Sequence, residues 1–431
     1  MYRKIIGFLE AWKESEYRKP LILQGAKQVG KTYSILEFGR THYENVAYFN
    51  FETNPKLNDA FAENISPDYL IPILSGIARQ TIVKGKTLIV FDEVQFCERA
   101  LASLKYFYED APEHHIIAVG SLLGVAVNRA KFSFPVGKVD MKTLYPMDME
   151  EFMLALSEKD LVAQIKECFS TNTPLPSALH DAAMQLYRQY LVVGGMPECV
   201  MQFAQTRDYV LARHTQDTIL ASYLNDMSKY NNLNEIKKTR LAYDNITVQL
   251  SKKNTRFQYK LIKKGGRASE FENAIEWLCL SGIVSQVYRV EQVKKPLENY
   301  RDIDSFKIYV SDLGLLCAKK DLAANDVLYM VEEINDFKGG MAENYVNVHL
   351  SINGYRTYYW ESECGAEIDF VIQRAGQLIP IEVKSADNTK AKSLQVYMDA
   401  YKPAYAIKLS SKNFGMEDNK KIVPLYAAFC I

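Results

Sequence analysis

The chain has 431 residues, and its 52 basic residues balance 52 acidic ones, so net charge argues for neither a nucleic-acid nor a membrane partner. At typical domain sizes that length suggests about two to four domains, and an ordinary apolar fraction of 48% lets each bury a core. Seven scattered Cys without a C-x-x-C pair argue against a zinc site or a disulfide framework and fit reduced thiols in a cytoplasmic protein. The charged, amphipathic start MYRKIIGFLEAWKESEYRK is unlike a signal peptide. The longest apolar stretch, Ile116–Val127, is interrupted by Gly120, Ser121 and Gly124 and is too short to span a bilayer.

Residues 1–146 alternate short apolar runs with helical spacing. LILQG (21–25), VAYFNFE (46–52), LIVFD (88–92) and IIAVGS (116–121) read as buried parallel strands, and VGKVDMKTLYP (136–146) as a fifth. This predicts an α/β fold with a parallel sheet and helices on both faces. Between the first strand and its helix lies Gly25-Ala26-Lys27-Gln28-Val29-Gly30-Lys31-Thr32, followed by Tyr33, a full match to G-x-x-x-x-G-K-[ST]. The glycines let backbone N–H groups curl toward phosphate oxygens, and the helix N-terminus adds partial positive charge. Lys31 is expected to reach the β- and γ-phosphates of ATP, and Thr32 to ligate Mg²⁺.

LIVFDE supplies the second half of such a site. Four apolar residues deliver Asp92 to the carboxyl end of a strand, where open α/β sheets bind ligands. Asp92 is expected to hold Mg²⁺ through water and Glu93 to act as general base. Gln95 is a further candidate for the γ-phosphate. Ser121, ending the fourth strand, either senses that phosphate or is a turn residue; Arg129 is either a charge stabiliser or a surface residue.

Residues 147–230 are helical in period, broken at TNTPLPS (171–177) and VGGMPE (193–198), and read as a helical lid. In 231–330, short helices precede a helix that stops at Gly282 and turns into a strand (275–290), and a further strand (306–316), which suggests a winged-helix-like module. Within it, 251–269 carries Lys252, Lys253, Arg256, Lys260, Lys263, Lys264 and Arg267 without an acid. Phe257 and Tyr259 are interleaved, so the stretch is either a nucleic-acid contact or a solvated face. His114-His115 reads as a loop pair, and Cys279 and Cys317 as core.

Residues 331–431 return to α/β order: a helix (342–354), strands at 355–362, 366–373 and 378–385, and a helix at 393–401. Asp369, Glu382 and Lys384 form D-x₁₂-E-x-K. Glu382 and Lys384 project from one face of a strand, and the turn RAGQ brings Asp369 alongside on its neighbour. Charges set among Ile and Val suggest a metal site.

GAKQVGKT, LIVFDEVQ, the GS turn, LYPMDMEEF with GGMPE, DLGLL and IEVKS together resemble a group of prokaryotic AAA-type ATPases. That group is related to the STAND signalling ATPases and carries a C-terminal domain of the PD-(D/E)XK nuclease (restriction-endonuclease-like) type. The resemblance implies that Gly195-Met196-Pro197 packs near adenine, with Pro197 in contact. It places Lys138 where an Arg is common, which leaves a cis arginine finger in doubt. It also implies that Asp369, Glu382 and the helical acid Glu343 hold Mg²⁺ for phosphodiester cleavage while Lys384 positions or deprotonates water. Ile368 stands where Pro is typical. ATP, DNA or RNA, a partner protein and further copies of the chain are the partners this reading admits; a membrane is not. Its alternative is a nucleotide-gated switch whose C-terminal domain binds without cutting.

Overall fold

The structure, a computed structural model, describes residues 1–121, 135, 137–229, 233–252, 256–385 and 392–431; Arg129 and Lys253 lie outside these. The chain divides into two compact units. One comprises Arg3–Tyr145 with Leu280–Gly282, the other Met1–Tyr2, Pro146–Cys279 and Ile283–Ile431.

The first unit holds a five-stranded sheet of β1 (Leu21–Gln24), β2 (Asn45–Asn50), β3 (Thr87–Asp92), β4 (His115–Gly120) and β5 (Asp140–Thr143). The order is β2-β3-β4-β1-β5 with every pairing parallel. Four longer helices accompany it: α1 (Ile5–Glu14), α2 (Lys31–His42), α3 (Pro67–Ala78) and α4 (Glu98–Asp110). Every residue of β3 and β4 is buried, as their unbroken apolar runs require of strands covered on both faces. Phe49, Phe51, Phe61 and Phe91 meet edge to face in the core, with centroids 5.7–6.1 Å apart. His115 begins β4 rather than lying in a loop. Its Nδ1 is 2.7 Å from the Tyr43 hydroxyl, and burial pushes its pKa down to about 4, so it is neutral.

The second unit opens with five helices: α5 (Met149–Ala155), α6 (Lys159–Thr171), α7 (Ser177–Val193), α8 (Pro197–Thr206) and α9 (Tyr209–Lys229). Asp148 and Glu151 form a reciprocal capping box at the start of α5. After α10 (Leu233–Leu250) and α11 (Ala268–Leu280) comes the hairpin β6 (Val284–Val290)–β7 (Arg301–Val310). It is not a free-standing wing. It forms one edge of an eight-stranded sheet with β8 (Tyr358–Glu361), β9 (Glu367–Arg374), β10 (Gln377–Val383), β11 (Ala406–Ser410), β12 (Gly415–Glu417) and β13 (Lys420–Pro424), in the order β12-β13-β11-β10-β9-β8-β6-β7. The expected boundaries at 230/231 and 330/331 therefore do not separate compact units.

The strand expected over 306–316 ends at Val310. Asp312 then caps α12 (Leu313–Lys319) by accepting the Leu315 N–H at 2.8 Å, which turns the apolar run into a helix. Helices α13 (Asn335–Ile352) and α14 (Lys392–Tyr401) complete this unit. Among the described residues, no helix is long and apolar enough to cross a membrane.

Candidate nucleotide site and carboxylate cluster

The β1–α2 loop has the backbone its glycines permit. Gly25 has φ +148°, and a Cβ there would fall 2.1 Å from the carbonyl oxygen of Leu144, the residue after β5. Gly30 caps α2 in the left-handed region at φ 88°, so Lys31 and Thr32 open a twelve-residue helix. The Lys31 ammonium is buried and donates to the carbonyls of Gly25 and Ala26 at 2.9 and 2.8 Å. Burial lowers its pKa to about 8 against the pull of Glu93 and Asp92. Tyr33 projects outward, 64% exposed. One brace had no sequence signal: Arg3 donates to the carbonyls of Val29 and Tyr145, both at 2.9 Å.

Asp92 and Thr32, 60 residues apart in sequence, meet here: the Thr32 hydroxyl donates to Asp92 Oδ2 at 3.0 Å. The same oxygen accepts the Tyr48 hydroxyl at 2.6 Å, a contact that the β2 sequence did not signal. Partial burial and that bond push the Tyr48 pKa up to about 12, keeping it a donor. Glu93 adopts φ 50°, a left-handed conformation uncommon for a side-chain-bearing residue. Its Oε2 receives the Gln95 amide and, at 3.4 Å, the Ser121 hydroxyl. Burial raises its pKa, the direction that suits a general base. Lys138 pairs with Glu109 at 2.9 Å.

In the second unit, the GGMP turn is built into the fold. Gly195 N–H donates to Asp312 Oδ2 at 2.6 Å, and its carbonyl accepts Met147 N–H at 2.7 Å. Pro197 is the first residue of α8. Burial lifts the Asp312 pKa to about 6 although backbone N–H groups favour its charged form.

Hairpin β9–β10 brings the C-terminal residues together. Asp369 Oδ2 accepts Val383 N–H at 2.7 Å, and Lys384 Nζ lies 2.9 Å from Glu382 Oε1. Glu382 Oε2 is buried and finds no hydrogen-bond partner among the described residues. Burial, then the charge of Glu343, pushes the Asp369 pKa up to about 8. Burial lowers the Lys384 pKa but Asp369 and Glu382 raise it more, so it holds its proton and suits positioning over deprotonation.

Glu343, expected as a metal ligand, is occupied otherwise. Its Oε2 accepts the Tyr309 hydroxyl at 2.9 Å and lies 3.2 Å from Lys307 Nζ, which also pairs with Glu367. Lys307, on β7, is 1% exposed; burial lowers its pKa, but Glu343 and its neighbours raise it more. Among the described residues no three His, Cys, Asp or Glu side chains are grouped to hold a metal ion. Glu382 Oε2 is the feature that fits a cation, with Asp369 beside it.

Of the basic stretch, Lys252, Arg256, Lys260, Lys263, Lys264 and Arg267 are exposed, and Lys263 pairs with Glu270 at 3.0 Å. Phe257 is not presented to bases: it is buried, stacked on Phe306 at 5.4 Å, with Tyr259 edge-on at 5.3 Å.

Residues 17–153 match the AAA domain family, while 184–326 and 338–428 match two domains of unknown function, DUF8612 and DUF4143. No curated protein matches the chain. Among solved structures, a Walker-type ATPase of Pyrococcus abyssi is 15% identical with a TM-score of 0.45, over 74% of this chain and 95% of that one. The Aeropyrum pernix ORC2 protein in ADPNP–ADP complexes is 12% identical at 0.39, over 77% and 94%. The Aeropyrum pernix ORC1 protein in complex with DNA is 13% identical at 0.27, over 76% and 93%. Likeness at this level is too distant to bear on function. The family match and the loop that unites Lys31, Thr32 and Asp92 make the N-terminal region a P-loop domain of the AAA type.

Proposed function

We propose that this chain binds ATP with Mg²⁺ at the β1–α2 loop and hydrolyses it. The observation that carries the reading is the 3.0 Å bond between Thr32 and Asp92, which unites the phosphate loop with the acid ending β3. Backbone N–H groups at the start of α2 receive phosphate oxygens, and the Lys31 ammonium leaves its two carbonyls for the β- and γ-phosphates. Thr32 and Asp92 would hold Mg²⁺, whose charge, when bound, offsets that of the phosphates. Glu93 takes the proton of the attacking water, with Gln95 and Ser121 orienting the carboxylate. Replacing Lys31 with Ala should weaken ATP binding about a hundredfold, roughly 3 kcal/mol. Unaltered binding in that variant, measured by calorimetry, would sink the assignment.

For residues 331–431 the proposed role is that of a PD-(D/E)XK nuclease-like unit acting on nucleic acid. Support comes from the succession α13, β8, β9, β10, α14, β11 and from Asp369, Glu382 and Lys384 gathered on one hairpin. A divalent cation would be held by Asp369 and Glu382, and Lys384 would orient water or the scissile phosphate. The exposed Lys252, Arg256, Lys260, Lys264 and Arg267 would follow a phosphate backbone.

The second reading, a nucleotide-gated switch with a non-cleaving C-terminal module, is favoured by the engagement of Glu343 with Lys307 and Tyr309. Nicking of supercoiled plasmid with Mg²⁺ or Mn²⁺, with and without ATP, separates the two. Cleavage lost in Lys384→Ala supports the nuclease; no cleavage from a protein that binds ATP supports the switch.

A further inference from the structure

Strand β2 lies at the edge of its sheet, parallel to β3, with Asn50 opposite Asp92. Ala47 and Phe49 point into the core, so Tyr48 and Asn50 share the other side of the strand. The Tyr48 hydroxyl donates to Asp92 Oδ2 at 2.6 Å, while the Asn50 amide donates to the Tyr48 oxygen at 3.2 Å and fixes the direction of that phenol. Asn50 is itself anchored, its Oδ1 accepting the N–H groups of Glu52 and Thr53 at 3.0 and 2.8 Å. Asp92 Oδ2 thus receives two hydroxyls, from Thr32 and from Tyr48, and more distantly the Asn50 amide at 3.5 Å.

The two donors are not equivalent. Thr32 belongs to the phosphate loop, where its hydroxyl has a second use as a cation ligand. Tyr48 lies outside the loop and is 38% exposed, so core packing is not what demands an aromatic there.

We propose that Tyr48 is a positioning residue of the nucleotide site, holding the Asp92 carboxylate in register when the Thr32 hydroxyl leaves it for Mg²⁺. The inference rests on the reading of Thr32 and Asp92 as the cation pair. Its physical basis is how the carboxylate is held. Oδ1 accepts the Glu93 N–H at 3.0 Å, but once Thr32 has turned, Oδ2 keeps only the Tyr48 hydroxyl and the Asn50 amide at a long 3.5 Å, and loss of such partners typically costs about ten- to a hundredfold in metal affinity. A charge-assisted hydrogen bond of this length is the strong kind.

The test titrates Mg²⁺ against binding of a fluorescent ATP analogue by the full chain, wild type against Tyr48→Phe, with a parallel series in EDTA. The expected result is a rise of about tenfold in the Mg²⁺ concentration for half-maximal effect. Affinity in EDTA stays unchanged, and Tyr48→Leu, which removes the ring as well, shows the same Mg²⁺ shift. Superimposable Mg²⁺ titrations overturn the inference. So does an equal loss of affinity with and without Mg²⁺, which marks a role in folding. Intact nucleotide binding by Lys31→Ala would instead remove the phosphate-loop reading on which it stands.

Discussion

The phosphate loop and the C-terminal carboxylate cluster each bury a lysine, and they use it in opposite ways. Lys31 donates to two neutral carbonyls of its own loop, Gly25 and Ala26. Lys307 lies between the carboxylates of Glu343 and Glu367. An ammonium on carbonyls exchanges those bonds for phosphate oxygens at little cost, whereas a buried one between two partly buried acids leaves their charge uncompensated if it moves. The first lysine is therefore poised for a ligand, and the second completes the protein. Function is written in the charge that the fold leaves available, more than in the mere presence of buried charge.

That contrast is open to direct attack. Replacing Lys307 with Met should destabilise the second unit by about 2–3 kcal/mol, the cost of leaving two partly buried carboxylates without their cation. Lys31→Met should leave urea unfolding within about 1 kcal/mol of wild type, since the two ammonium–carbonyl bonds it forfeits are offset by removing a buried charge. Equal losses in the two variants would erase the distinction.

The second test is pH. Asp369 has its pKa raised to about 8 from an ordinary 3.8, chiefly by burial. A raised folded-state value means the native state binds the proton more tightly. Stability from this group is therefore complete below the unfolded value and is lost as pH rises through about 8. In EDTA the thermal midpoint should fall between neutral and alkaline pH, and Asp369→Asn should flatten the slope. If Asp369 and Glu382 take a cation, Mn²⁺ should also flatten it.

Two smaller effects follow. Arg3→Ala removes the side chain that braces Val29 and Tyr145, and should cost about 1–3 kcal/mol in unfolding, with weaker ATP binding. Ser121→Ala removes a long 3.4 Å bond to Glu93, worth about 0.5–1.5 kcal/mol, and should slow turnover severalfold with ATP binding unchanged.

The nucleotide site was legible in the sequence because its chemistry is local. The glycines, Lys31 and Thr32 are contiguous, and four apolar residues announce Asp92 and Glu93. The β9–β10 hairpin was legible for the same reason, since a short turn sets Asp369 beside the Glu382 strand. What stayed hidden is long-range. Lys307 reads as one polar residue in an alternating strand, and its partner Glu343 comes 36 residues later. Tyr48 reads as a β-former, and nothing nearby points to Asp92. Phe257 suggests base stacking until Phe306 supplies its partner. The helix after Asp312 is set by that residue's side-chain cap, whereas the apolar DLGLL run reads as the end of a strand. β11 and β13, short and carrying lysines, gave too weak an alternation to single out.

If ATP is hydrolysed at the phosphate loop with Glu93 as base, phosphate release and ATP affinity measured side by side in wild type and Glu93→Gln will part company. Wild-type turnover should depend on Mg²⁺, and the variant should keep its affinity while turnover drops about 10²- to 10⁴-fold. Equal turnover in the two proteins would remove Glu93 from the reaction.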